Sequence, residues 1–158
     1  MTRAVIAVGA NLGDRKATVA HAVREIAELD EVHLVAVSSF IETAAVTPDG
    51  VDEDRPPYLN GVILVDTELD ADVLLDHLNA IEDHHGRVRT ERWGDRTLDL
   101  DLVDFGGQRR NTPRLVLPHP HAHEREFVLA PWLEVDPDAE IPGRGRVEFL
   151  LAKLRGHL

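Results

Sequence analysis

Apolar residues in this chain change their spacing in a fixed order, and that order limits the fold more than any other feature. Val5 to Gly9 reads as a buried strand, with a turn at Gly9 to Asp14 after it. Val19, Val23, Ile26 and Leu29 then recur at helical spacing among charged residues. Val32 to Phe40 and Tyr58 to Thr67 are two further strands. Asp70 can cap a helix with the stripe Leu74, Leu78 and Ile81, and Gly86 is placed to end it in a left-handed conformation. Thr97 to Phe105 alternates, with Leu98, Leu100 and Leu102 on one face and Asp99, Asp101 and Val103 on the other. Gly106-Gly107 predicts a hairpin from this strand onto Gln108 to Asn111. An extended piece at Leu115 to Leu117 follows, then helical spacing from His121 to Val135 interrupted at Pro131, then a terminal helix from Val147 to Leu154. The order β-α-β-β-α-β with extra C-terminal elements predicts an α+β, ferredoxin-like sandwich. In it, helices pack on one face of a mainly antiparallel sheet. One domain over residues 1–158 suits this length.

Between these elements lies a polar stretch, Glu42 to Pro57, expected to be a long functional surface loop. Met1-Thr2-Arg3 leads directly into strand-like sequence and has no leader pattern, and no apolar run reaches the ~20 residues of a membrane span. Cysteine is absent, which excludes disulfides, thiolate metal sites and a Cys nucleophile. A soluble, cytoplasmic protein without membrane partners is expected. The net charge of -12 argues against nucleic acid as a partner, because phosphate-backbone binding needs a basic surface. The distribution is uneven, however. Residues 1–86 carry 17 acids and 5 bases, whereas residues 87–125 hold eight arginines, no lysine and six acids. Arg has the planar fork that grips phosphate bidentately, so a pocket for a small polyanion is one reading and a solvated arginine surface the other.

Asp99 and Asp101 are the sharpest chemical feature. Residues i and i+2 of a strand share a face with Cα atoms roughly 6.5–7 Å apart, close enough for two carboxylates to share cations. Alone, the pair also fits an amphipathic strand with one wet face. The preceding text, Arg92-Trp93-Gly94-Asp95-Arg96-Thr97-Leu98, favours the first reading: acids that hold metal beside bases that hold phosphate suit phosphoryl transfer.

The run from Gly86-Arg87-Val88-Arg89 through Arg92-Trp93-Gly94 to Asp99-Leu100-Asp101 resembles the signature of hydroxymethyldihydropterin pyrophosphokinases. Other markers occur in order over nearly the whole chain. They are Gly9 with Asn11-Leu12-Gly13, Ser38-Ser39 with Thr43, Tyr58-Leu59-Asn60, Pro118-His119-Pro120, His123-Glu124-Arg125 and Phe127-Val128-Leu129. The resemblance implies pyrophosphoryl transfer from ATP, the co-substrate, to a reduced pterin alcohol, with release of AMP. It implies that Asp99 and Asp101 bind two Mg2+ ions, and that Arg87 and Arg89 close over the triphosphate. Arg89, Arg92, Leu102, Arg114, His119 and Arg125 match nucleotide-binding positions. Tyr58 and Phe127 match residues that sandwich the pterin, Trp93 one that closes over it, and Asn60, Thr43, Ala44 and Val46 groups around its edge. No role is expected for His121, a structural one only for His123, and a monomer is expected.

Some residues depart from the family pattern. Asp95 stands where Pro is common, Ala44 where Pro is frequent, the Arg87 to Arg96 loop is about one residue short, and the Glu42 to Pro57 loop is unusually acidic. These bear on loop closure and affinity. Two other functions suit the same sheet: a two-metal nucleotidyl transferase or cyclase, which releases pyrophosphate, and a ligand-sensing module, which has little use for paired carboxylates beside eight arginines.

Overall fold

The computed structural model describes residues 1–11, 14–43, 45–47, 50–52, 57–85 and 97–157, with backbone alone at 45–47 and 50–52. In chain order the elements are β1 (Thr2–Ala10), α1 (Arg15–Ala27), β2 (Val32–Val37), β3 (Ile41–Thr43), β4 (Ala45–Thr47), β5 (Gly50–Asp52), β6 (Tyr58–Thr67) and α2 (Ala71–His84). They continue with β7 (Asp99–Phe105), β8 (Arg110–Asn111), β9 (Val116–Leu117), a 3-10 turn (Ala122–Glu124), α3 (Glu126–Val135), β10 (Glu140–Ile141), β11 (Gly145–Arg146) and α4 (Val147–Leu154). The main sheet has the order β2-β6-β1-β7 and is antiparallel at each pairing, with β3 also paired to β6. This is the ferredoxin-like arrangement, with β1 between β6 and β7.

Alternation along the strands divides the core in two. Ala4, Ile6 and Val8 of β1, Ile63 and Val65 of β6, and Leu100 and Leu102 of β7 meet Val19, Ala22 and Ile26 of α1 and Leu74, Leu78 and Ile81 of α2. On the opposite face Val5, Val62, Leu64 and Val103 meet Val128, Leu129 and Trp132 of α3 and Val147 and Leu151 of α4. The expectation that helices cover one face is therefore corrected: both faces are covered. The run Val62-Ile63-Leu64-Val65 is buried at each position, as a strand enclosed on both sides must be. At roughly 1.5–3 kcal/mol for each large side chain buried, both layers contribute substantially to stability.

Other boundaries moved for local reasons. The strand expected over Val32 to Phe40 ends at Val37, where the backbone of Ser38 pairs with Val62 and its hydroxyl accepts the Val62 N–H at 2.9 Å. Phe40 then crosses Gly61, where any Cβ would lie 2.7 Å from the ring, and the chain resumes pairing as β3. Within the expected Glu42 to Pro57 loop, β4 and β5 pair as a small hairpin. The hairpin expected between β7 and Gln108 to Asn111 does not form. Gly106 and Gly107 do turn the chain, at φ of 60° and 71°, but β8 pairs with β9 instead. The outer edge of β7 is partly used, because the backbone N–H of Leu100 donates to Glu82 and the Val103 carbonyl accepts from His119.

Pro131 sits inside α3 rather than interrupting it, because burial of Val128, Leu129, Pro131 and Trp132 outweighs one lost backbone bond. Asp14 caps α1 by accepting from the Ala17 N–H at 3.2 Å, whereas Asp70 begins α2 without a side-chain cap bond. Gly86 lies outside the described residues. No helix among the described residues is long and apolar enough to cross a membrane.

Candidate active site

Strand register builds the floor of the site. Gly9 pairs with Asn60 of β6 on one side and with Asp99 of β7 on the other, and Ala7 pairs likewise with Val62 and Asp101. These rows lie on the face covered by α3, toward the end of the sheet where α3 begins. Glycine in the first row leaves Asn60 its place, because a Cβ at position 9 would come within 2.8 Å of Asn60 Oδ1 and displace that side chain. The Asn60 amide nitrogen donates to the Thr43 hydroxyl, so β3 and β6 hold this polar group jointly.

Above the floor is a cavity of about 530 Å3, lined by Tyr58, Asn60, Thr43, Asp99, Asp101, Arg125 and Phe127. Two aromatic faces with an amide and a hydroxyl at the edge suit a flat, polar-edged heterocycle. The Arg125 guanidinium carbon lies 5.8 Å from the Phe127 ring centroid, a cation–π distance that also stiffens the Phe127 wall.

A second cavity, of about 280 Å3, opens along the free edge of β7 between Leu75, Asn79 and Glu82 of α2 and Leu102, Arg114 and His119. Glu82 is 3% exposed and accepts the Leu100 N–H at 2.7 Å, which docks α2 onto the strand that carries both aspartates. Because alternate residues of an antiparallel edge strand point their backbone groups the same way, Leu102 directs its own toward this cavity. Arg114 bonds Asp76 and, at 3.2 Å, the Asp72 carbonyl, so α2 positions its guanidinium at the cavity wall.

His119 is neutral at physiological pH. Burial, then the positive charge of Arg125 and the neighbouring His121, push its pKa down to about 4 against the opposing pull of Asp99. Its Nδ1 accepts the His121 backbone N–H at 3.2 Å, which leaves the proton on Nε2 as a hydrogen-bond donor.

Asp99 and Asp101 line both cavities. Both are half-buried and face the same side of β7, a hard, oxygen-only donor pair of the kind that binds Mg2+. An aromatic cavity and a polar cavity that meet at paired carboxylates can bring two substrates to one reacting centre.

The sites expected from the sequence divide into two groups. Thr43, Tyr58, Asn60, Asp99, Asp101, Leu102, Arg114, His119, Arg125 and Phe127 come together around these cavities. Arg87, Arg89, Arg92, Trp93 and Ala44 lie outside the described residues, as does the side chain of Val46. Glu82, Asn79 and Leu75 escaped the sequence reading because on α2 they look like ordinary helix positions. His121 and Glu124, 3.3 Å apart, also stand in the wall of the larger cavity, a place the sequence did not suggest for His121.

Residues 5–137 match the model of the 7,8-dihydro-6-hydroxymethylpterin-pyrophosphokinase family. The chain belongs to this family. Among curated pyrophosphokinases, one from Haemophilus influenzae is 38% identical over 157 residues, covering 99% of this chain and 96% of that protein. One from Pseudomonas aeruginosa is 42% identical over 151 residues, covering 95% and 91%. Both are named 2-amino-4-hydroxy-6-hydroxymethyldihydropteridine pyrophosphokinase. Among solved structures, a Plasmodium falciparum HPPK-DHPS chain superimposes with a TM-score of 0.72 over 96% of this chain, at 12% identity, and so shares the fold. This chain spans 45% of that longer chain.

Proposed function

We infer that this chain transfers the pyrophosphoryl group of ATP to the hydroxymethyl oxygen of 6-hydroxymethyl-7,8-dihydropterin and releases AMP, the family's step in folate biosynthesis. The observation that carries the reading at residue level is the shared position of Asp99 and Asp101 between the two cavities. Tyr58 and Phe127 stack on the pterin, and Asn60, held by Thr43, reads its edge. Leu102, Arg114 and His119 hold the nucleotide, with the backbone edge of β7 offered to its base. Arg125, in the wall of the larger cavity beside Phe127, faces the phosphates.

The hydroxymethyl oxygen attacks the β-phosphorus, and the bond from that phosphorus to the oxygen bridging toward the α-phosphorus breaks. AMP leaves with the electron pair, and the hydroxyl proton passes to solvent. Two Mg2+ ions on Asp99 and Asp101, when bound, neutralise phosphate charge and favour the deprotonated alcohol. Neutral His119 adds an Nε2–H donor, and Arg114 and Arg125 add fixed positive charge where negative charge builds up. Arg87, Arg89, Arg92 and Trp93 complete this reading as closing residues over the triphosphate and pterin. Ala44 and Val46 complete the pterin edge. One copy of the chain supplies both cavities, which supports a monomer, and the reaction is placed in the cytoplasm, where ATP is supplied.

Incubation with MgATP and the reduced pterin, followed by product analysis, tests the assignment. AMP and the pterin pyrophosphate ester are expected in equal amounts. Release of inorganic pyrophosphate instead identifies a nucleotidyl transfer, and ATP binding without turnover identifies a sensor; either result overturns the reading.

A further inference from the structure

Glu25 on α1 and His84 and His85 at the end of α2 bring three metal-ligating atoms together, and none of the three residues lines either cavity described above. Neighbouring residues inside a helix diverge by about 100°, so two successive histidines seldom reach one partner. Here α2 stops between them. His84 is its last residue, and His85 leaves the helix with φ -89° and ψ 21°, so the two rings meet edge to face with centroids 5.6 Å apart. His85 Nε2 lies 2.5 Å from Glu25 Oε1, and His84 Nδ1 lies 3.3 Å from Glu25 Oε2. One ligand atom from each residue falls within 4.8 Å of the others. His85 is 16% exposed at its side chain, Glu25 29% and His84 77%, so the set lies at the rim of a crease between α1 and α2 with its His84 side open to solvent.

We propose that Glu25, His84 and His85 form a binding site for a borderline divalent transition ion, Zn2+ foremost, with solvent completing a tetrahedral shell. Two imidazole nitrogens and one carboxylate oxygen are the donor set Zn2+ takes at about 2.0–2.2 Å, so side-chain rotations of an ångström or so bring the present separations into register. Mg2+ prefers an all-oxygen shell and dehydrates reluctantly, so this site does not compete for the ion that Asp99 and Asp101 hold. The bound ion staples α1 to the C-terminal turn of α2. That turn also carries Glu82, the carboxylate docked onto Leu100, and His85 donates its backbone N–H to the Glu82 carbonyl at 3.1 Å. The ion thereby stiffens the scaffold of the nucleotide cavity from outside it.

Calorimetric titration of ZnCl2 into chelator-stripped protein, with Mg2+ in excess to occupy the aspartate pair, tests the proposal. One equivalent of Zn2+ is expected to bind and to raise the melting temperature. Glu25→Gln and His85→Ala are each expected to weaken Zn2+ binding by about tenfold or more, the range seen when metal shells are disturbed. Magnesium-dependent turnover in chelator should be unchanged in both variants. A His121→Ala/His123→Ala variant should keep the site, and Co2+ should give visible absorption bands that Glu25→Gln removes. The proposal is overturned if no stoichiometric Zn2+ binds, if Glu25→Gln keeps full affinity, or if only the His121/His123 variant loses it. Should His85→Ala fail to fold, Glu25→Gln, at a partly exposed position, and the cobalt spectrum decide.

Discussion

Asn60 and Asp99 lie in one row of the sheet on either side of Gly9, two strand spacings or about 9.5 Å apart. The amide proposed to read the pterin and a carboxylate proposed to bind metal are thus set by backbone pairing rather than by loop conformation, and the residue between them has no side chain to fill the gap.

Gly9→Ala should therefore damage pterin use first. The new Cβ would sit 2.8 Å from Asn60 Oδ1 and push the amide off its Thr43 partner. Steady-state kinetics should show KM for the pterin raised by about tenfold, equivalent to some 1.4 kcal/mol, with KM for ATP little changed. An equal rise in both would show that the row does not set the pterin position.

Asp99→Ala and Asp101→Ala should each lower turnover by at least about 10²–10³-fold, the scale for losing one preorganised electrostatic contact. Circular dichroism should remain native, since both side chains face the cavities and not the core. Activity near the unmutated level in either variant would remove the paired-carboxylate mechanism.

Glu82→Ala leaves the Leu100 N–H without its acceptor and should cost about 1–3 kcal/mol in chemical denaturation, while Glu82→Gln keeps an acceptor oxygen and should cost less. If Ala and Gln behave alike, the bond contributes nothing to holding α2 against β7.

Acid should cost the metal-free protein stability through His119. With a folded pKa near 4 and an unfolded value near 6.5, the unfolded chain binds a proton in that window that the folded chain refuses. The contribution is complete above about pH 6.5 and declines as pH falls toward 4. Nitrogen NMR should show the Nε2–H tautomer with no titration above about pH 5; a midpoint near 6.5 would contradict the burial argument.

Asp104 works in the opposite sense. Burial raises its pKa against the Gly107 N–H it accepts, and among the described residues Oδ1 has no hydrogen-bond partner. Ionisation in the fold is costly above the unfolded carboxylate pKa, so stability should fall with rising pH through the raised value. Asp104→Asn should raise the melting temperature at pH 7 by roughly 2–4 °C per kcal/mol relieved, and less in acid. A lower melting temperature at pH 7 would mean the charge is compensated.

Much of the candidate site was legible in the sequence, in part from strand pattern and in part from the family resemblance that its motifs carry. Period-2 alternation on β7 placed Asp99 and Asp101 on one face, and the linear motifs around Tyr58, Asn60, His119 and Phe127 marked the residues that gather around them. Local signals of this kind survive in sequence because they depend on neighbours within a few positions. The sequence did not reveal which sheet face would be covered, nor that β8 would pair with β9, because the partners compete across long separations. Glu82 shows the same limit. On α2 it is one carboxylate among several, and only the docking of that helix against the Leu100 N–H gives it a role. Residue pattern alone marked the long strands and helices and put both carboxylates on one face of β7; tertiary packing decided which edges stayed open, and open edges are where substrates find backbone and side chains not already committed to one another.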